Sequence, residues 1–162
     1  MEQSLSVVEA GPADHGWIVE LLSERWGSTR MVSRGRLYEV PELPALIALR
    51  NGERVGLLSY QIDGDAGEIA LLDSLLARRG VGTALLEACV ERLRRLGCRR
   101  AWLISTNDNL TALNFYCARG WTLAAIHYDA VTRARALKPE ISLLGLGGLM
   151  ICDELEFELV LN

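Results

Sequence analysis

Lysine is almost missing from this chain: of its 17 basic residues only Lys138 is lysine, and the other 16 are arginine. Set against 21 acidic residues, they leave a formal net charge of -4 and a pI near 5.3. That balance excludes a general nucleic-acid binder of the usual basic kind. Histidine is scarce as well, with only His15 and His127. The cysteines Cys89, Cys98, Cys117 and Cys152 show no Cys-x-x-Cys pairing and no histidine at ligand spacing, so no metal site is expected. A disulfide framework is not expected in a chain this long either. Cys89 and Cys117 fall on apolar helix faces and read as buried, inert thiols. No stretch approaches the roughly 18 consecutive apolar residues of a membrane span. The start, MEQSLSVVEAGPADHG, has an early acid and neither a basic opening nor an uninterrupted apolar run, so it does not read as a signal peptide. These absences predict a soluble, cytoplasmic protein without membrane or nucleic-acid partners.

What is present points to one domain over residues 1–162, half of them hydrophobic and 23% charged, enough to bury a sizeable core. Seven of the arginines lie between Arg78 and Arg100. A local concentration of this kind in an acidic chain could hold an anion, although a codon preference for arginine accounts for it equally simply.

The β-branched segment 5–10 reads as a first strand, and Gly11-Pro12-Ala13-Asp14 as the start of a helix carrying Trp17, Ile18, Leu21 and Leu22 at helical spacing. Residues 27–44, with Gly27, Gly35, Pro41 and Pro44, read as a long loop holding one helical turn; long loops in compact domains tend to be functional. Segments 45–50 and 54–62 flank Asn51-Gly52-Glu53, a hairpin signal, and 67–75 follows as the next antiparallel strand. Ala84, Leu85, Ala88, Cys89, Leu93 and Leu96 then recur at helical intervals up to Gly97. A strand at 100–105, a helix near 110–118 and a strand at 121–126 come next. Residues 129–152 are mixed, with a helical segment AVTRARAL, and the last strand alternates Leu155, Phe157 and Leu159 with Glu154, Glu156 and Glu158. The fold class is therefore α/β, a mixed and mostly antiparallel sheet of about seven strands with helices packed on it.

The chemistry concentrates in two segments. Asp73 to Ala84 puts the turn Gly80-Val81-Gly82 between a strand and a helix, where free backbone N–H groups and the positive end of the helix dipole suit a phosphate. Glycine lets the backbone approach the oxygens, and Arg78 and Arg79 add charged donors. A tight structural turn would explain the glycines equally well, since the spacing fits neither the Rossmann fingerprint nor the P-loop. The second segment is Asn109-Leu110-Thr111-Ala112-Leu113-Asn114-Phe115-Tyr116, with Gly120-Trp121 beyond it. Asn109 suits an N-cap, Ala112 allows close approach, and Tyr116 lies one turn further on.

Together these residues resemble the GNAT (Gcn5-related N-acetyltransferase) superfamily over roughly residues 4–127. Gly80 and Gly82 match its phosphate loop, and Asn109, Ala112, Phe115, Tyr116 and Gly120-Trp121 match its second motif. The family's Gln/Arg three residues before the first loop glycine is Ala77 here, a departure that Arg78 or Arg79 could compensate. The resemblance implies a GNAT-like fold whose sheet is splayed in the middle, and acetyl-CoA lying between the strands 67–75 and 100–105 with no metal. It places the pantetheine along Leu72, Asp73, Ser74 and Leu75. The pyrophosphate would rest on Arg78, Arg79, Gly80, Val81, Gly82, Thr83 and Ala84, with Asn109, Ala112 and Phe115 nearby.

By the same resemblance the reaction is direct attack of an amine on the thioester. That needs a neutral amine, a polarised carbonyl and a proton for the departing thiolate. Tyr116 looks like the family's general acid. Glu68 stands where several members place a catalytic carboxylate, although an exposed charge on an edge strand is the plainer reading of it. His127 could relay protons, or be an ordinary loop histidine. The acceptor, a small molecule or a peptide or protein amine, would be met by 27–44 and 127–153. There Arg30, Arg34, Arg36, Arg133, Arg135 and Lys138 could hold an acidic group or be solvated. The stripe of Glu154, Glu156 and Glu158 could attract a cationic acceptor, or be the polar face of an edge strand. The expected protein is an N-acetyltransferase, monomeric or homodimeric, with a non-catalytic CoA-binding module of the same fold as the alternative. Of the seven clustered arginines, only Arg78 and Arg79 fall where a phosphate is expected.

Overall fold

A computed structural model describes residues 4–162; the first three residues, with which the N-terminal reading begins, lie outside the described residues. The strands are β1 (Leu5–Glu9), β2 (Arg30–Ser33), β3 (Arg36–Glu39), β4 (Ala45–Arg50), β5 (Glu53–Asp63), β6 (Ala66–Ser74), β7 (Arg100–Thr106), β8 (Thr122–His127) and β9 (Glu154–Val160). The helices are α1 (His15–Trp26), α2 (Val81–Arg95), α3 (Leu110–Ala118) and the short α4 (Ala130–Ala134). Seven strands form one sheet in the order β1-β4-β5-β6-β7-β9-β8, and β2 and β3 pair separately as a hairpin. Among the described residues only β6 and β7 run parallel, an arrangement made possible by the crossover helix α2. No helix among the described residues is long and apolar enough to cross a membrane.

Alternation along the strands feeds two apolar layers. On one face Leu46, Leu58 and Ile69 pack with Leu85, Leu86, Cys89 and Leu93 of α2 and with Tyr116, Trp121 and Phe157. On the other, Ile47, Leu57 and Leu71 pack with Ile18, Leu21 and Leu22 of α1. Adjacent residues such as Leu57 and Leu58 thus serve opposite layers, as the two-residue period of a strand requires. Helix α2 sits so close to the sheet that a Cβ on Gly56 would stand 2.6 Å from Val81 Cγ1 and 3.2 Å from the Asp73 carbonyl oxygen. Gly56→Ala should therefore destabilise the fold by about 1–3 kcal/mol. It should also displace the first turn of α2, and calorimetric melting reads the loss of stability.

The pairing of β6 breaks step once. Ser59 faces Leu71 but Tyr60 faces Ile69, so Ala70 is an extra residue, a β-bulge. Without it Gly67, Ile69, Leu71 and Asp73 would share one face. With it, Gly67 and Ile69 face α2 while Leu71 and Asp73 turn toward α1. The parallel ladder to β7 ends at the same point, its last pair being Ile69 and Leu103. Past the bulge the two strands part, and the sheet is splayed there.

Three expectations change. The segment 27–44 is a hairpin plus a short 3-10 turn rather than a mere loop; Arg34 (φ 49°) and Gly35 (φ 74°) make its tight turn, and an arginine at a positive-φ position disguises the signal. Cys117 is exposed, in contrast to Cys89, because α3 is covered on one side only. The strand β9 lies between β7 and β8, so it is interior and its glutamates are not an edge face.

Candidate active site

Beyond the bulge, the gap between β6 and β7 opens a cleft of about 210 Å³ lined by Leu72, Ser105, Asn109, Ala112 and Tyr116. A second arm of about 210 Å³ reaches past Ser33, Glu68, Val131, Lys138 and Glu154. Trp26, Met31, Ile69, Ala70, Ile104 and Thr106 line both arms, which makes them one continuous cleft.

The strand edge in the first arm is available for pairing. Leu75 N–H donates to Val55 O at 2.9 Å, so Val55 and Leu75 are a hydrogen-bonded pair and Gly56 and Ser74 are not. By the alternation of an antiparallel ladder, the peptide groups of Leu72 and Ser74 point away from β5, toward the cleft. Those of Asp73 and Leu75 point to β5. The Asp73 carboxylate is buried and bound by Arg25 (2.6 and 2.9 Å) and Trp26 Nε1 (3.2 Å), which ties α1 to the splayed strand. The side chain of Asp73 therefore acts as a brace.

The loop after β6 enters α2 through Gly80 at φ 75°, with Arg78 also left-handed at φ 57°. Ala84 N–H donates to Gly80 O at 3.0 Å, and no acceptor among the described residues engages the amides of residues 79–83. These are the orphan donors of a helix start. A Cβ at Gly82 would meet only the Phe115 ring, at 3.5 Å. The loop is held from below, since Arg50 Nη2 donates to Arg79 O. Arg119, absent from the sequence-based site, reaches Thr83 Oγ1 from Nε and Nη2 (3.0 and 2.8 Å) and stacks 3.7 Å over the Phe115 ring. It stood in view beside Gly120, but sequence spacing gave no sign that it crosses to α2. The free edge, the free amides and the open face of Gly82 fit an extended, phosphate-bearing ligand such as acetyl-CoA.

Tyr116 is 8% exposed, packed against Phe115, Trp121 and Phe157, and it lines the cleft. Its hydroxyl has no hydrogen-bond partner among the described residues. Burial pushes its pKa up to about 12. Asn109 Oδ1 accepts from Ala112 N–H at 3.0 Å, which is the N-cap of α3. Asp108, bonded to Thr106 Oγ1 and Leu146 N–H, and Asn107, bonded to the amides of Cys152 and Asp153, fix that loop to the chain before β9.

Glu68 is the clearest revision of the sequence reading. It lies on an interior strand and is 3% exposed, so it is no surface charge. Tyr38 Oη donates to its Oε2 at 2.5 Å, while its Oε1 is buried without a partner. Burial pushes the carboxyl up from its ordinary range, and the Glu154 charge pushes the same way. The Ser33 hydroxyl, Tyr38 and Arg36 pull against them, although the Ser33 hydroxyl makes no hydrogen bond of good geometry. Glu154, 2% exposed, accepts from Arg34 Nη1 (3.2 Å) and the Arg34 amide (3.3 Å). The glutamate stripe is thus divided: Glu154 faces the cleft, while Glu156 and Glu158 are bound by Arg100. His127 bonds to Glu156 at 3.0 Å and lines neither arm. Arg135 organises its own loop through the carbonyls of Ile141, Ser142 and Ile151. Trp26, Met31 and Ser33 carried no motif, because the end of α1 and a hairpin folded over the cleft bring them in.

A sequence model described as the acetyltransferase (GNAT) family matches residues 15–121. Among curated proteins, the uncharacterized YdhI of Bacillus subtilis is 38% identical over 146 residues, covering 90% of this chain and 91% of that one. The uncharacterized YxbD of the same organism is 42% identical over 133 residues, 82% and 84% of the two chains. Among solved structures, a GNAT family acetyltransferase from Elizabethkingia anophelis with acetyl-CoA bound superposes with a TM-score of 0.70 at 14% identity, covering 97% of this chain and 98% of that one. The splayed sheet, the open helix start and the matched segment agree, and the chain belongs to the acetyltransferase (GNAT) family, whose acyl donor is acetyl-CoA.

Proposed function

We propose that this acetyltransferase acts on nitrogen, moving the acetyl group to a primary amine by direct attack, with Tyr116 as the acid and Glu68 as the base. One observation carries the reading: a free phenol and a buried carboxylate face one continuous cleft, from its donor arm and its acceptor arm respectively. Bound acetyl-CoA supplies an activated acetyl thioester there. The cleft-facing peptide groups of Leu72 and Ser74 orient it, and the amides of residues 79–83 hold its pyrophosphate against the positive end of α2. Glu68 takes a proton from the entering ammonium, and its raised pKa makes it a stronger base than an exposed glutamate. As the N–C bond forms and the C–S bond breaks, the Tyr116 hydroxyl donates to the sulfur. The second proton leaving the nitrogen replaces the one Tyr116 gave up, so the products are the N-acetylated amine, free CoA thiol, a restored Tyr116 hydroxyl and one proton on Glu68. Thiols ordinarily titrate near 8.5. Burial that raises the phenol raises a thiolate beside it too, so the hydrogen bond strengthens as charge develops.

The test is thiol release with acetyl-CoA and primary amines of several classes, with acetyl-CoA binding measured alongside. Release that depends on the amine is the expected result. Tight binding without release on any acceptor supports a non-catalytic CoA-binding module instead. The loop has its own test, Gly82→Asp. The neighbouring Phe115 ring leaves ordinary contact room for a Cβ, so the fold should keep its melting temperature. The added negative charge should raise the dissociation constant of acetyl-CoA at least tenfold, as isothermal titration would read.

A further inference from the structure

The acceptor arm holds an unmet hydrogen-bond acceptor, and the cation that lines it, Lys138, is turned to a backbone carbonyl. Glu68 Oε1 is buried with no partner while Oε2 is held by Tyr38. Glu154 stands near enough for its charge to act on Glu68. Of the basic groups around them, one is paired with a carboxylate and two make weaker contacts. Arg34 is bound to Glu154, Lys138 Nζ donates to Arg30 O at 2.8 Å, and Arg36 lies 5.0 Å over the Tyr38 ring. The remaining wall is apolar, formed by Trp26, Met31, Ile104, Val131 and Ile141. Its volume of about 210 Å³ is below the ~300–1,000 Å³ of sites for drug-sized ligands.

We propose that the acceptor is a small amine that enters as a cation, with an apolar body and no carboxylate or phosphate, its ammonium seated against Glu68 Oε1 with Glu154 close by. This rests on the N-acetyltransferase reading and names the substrate class within it. A carboxylate beside the amine, as in an α-amino acid, would meet two buried carboxylates, with Lys138 Nζ, already held on Arg30 O, as the lining cation to answer it. A peptide would leave its amide groups unpaired against the apolar wall. An ammonium with a hydrocarbon body satisfies both parts of the arm: it gives Oε1 a charge-assisted partner and covers the wall.

The measurement is steady-state CoA release at saturating acetyl-CoA with matched acceptors: 2-phenylethylamine against phenylalanine, isopentylamine against leucine, and also spermidine and a short unblocked peptide. The plain amines should exceed their amino acids by at least 100-fold in kcat/KM. In Glu154→Gln that gap should narrow at least tenfold through a higher KM for the amine, with the KM for acetyl-CoA unchanged. A merely structural Glu154 would lower all substrates alike, which would overturn the proposal. Preference for phenylalanine, spermidine or the peptide would overturn it too, while leaving acetyl transfer to nitrogen intact. If acetyl-CoA binds and no amine is turned over, the function beneath it fails and the inference fails with it.

Discussion

Tyr116→Phe should lower kcat by about 10²–10⁴-fold, the usual range for removing a positioned proton donor, while the dissociation constant of acetyl-CoA changes less than twofold. The separation is expected because the ring and the hydroxyl have different work. The ring packs edge-on against Phe115 with centroids 5.1 Å apart and against Trp121 and Phe157 at 5.8 and 5.6 Å, contacts that phenylalanine keeps. The hydroxyl has no bond to lose within the described residues, so its deletion leaves no buried group unpaired and the fold should hold or gain slightly. With a pKa raised to about 12, the phenol keeps its proton across the working pH range, and no basic limb of the rate profile should come from it. Single-turnover kinetics with pre-bound acetyl-CoA separate the chemical step from binding. An unchanged rate would make Tyr116 a core aromatic and move the acid elsewhere.

How far the sequence could be read follows from where each signal lives. The strands 45–50 and 54–62, the helix after Gly80 and the cap at Asn109 were legible because turn chemistry and periodicity are local. The bulge at Ala70 was not, since the run IALL at 69–72 is apolar at every position whether or not one residue is extra. Yet that residue decides which face Asp73 occupies and where β6 leaves β7. The burial of Glu68 was hidden for a related reason: strand order is a non-local property, and a strand looks the same from its sequence at an edge or inside. The hairpin β2–β3 escaped because Arg34, a residue not favoured at positive φ, takes a turn position usually marked by Asn or Gly. With the hairpin unseen, Tyr38 and Arg34 could not be matched to Glu68 and Glu154, and the arginines of 27–44 read as free cations.

Glu68→Gln should separate activity from stability in opposite directions. Turnover at neutral pH should fall by roughly 10²-fold, the lower end for loss of a general base, and the acid limb of kcat/KM should disappear with the group that causes it. Stability should rise. The folded-state pKa of Glu68 is raised by burial, so its ionisation opposes folding. Its contribution is most favourable below the ordinary glutamate pKa of about 4.3 and declines as pH climbs through the folded value. Glutamine removes that decline. It still accepts from Tyr38, and it removes the repulsion of Glu154. Relieving one buried, unpartnered charged oxygen is worth on the order of 1 kcal/mol, or about 2–4 °C in a chain of this size. The gain should be largest at pH 7–8 and vanish near pH 4, the two proteins melting together once Glu68 carries a proton in both states. A variant that is inactive and also less stable at pH 8 would mean that the Tyr38–Glu68 pair is a structural clamp, and the base would have to be sought among solvent-linked groups of the cleft.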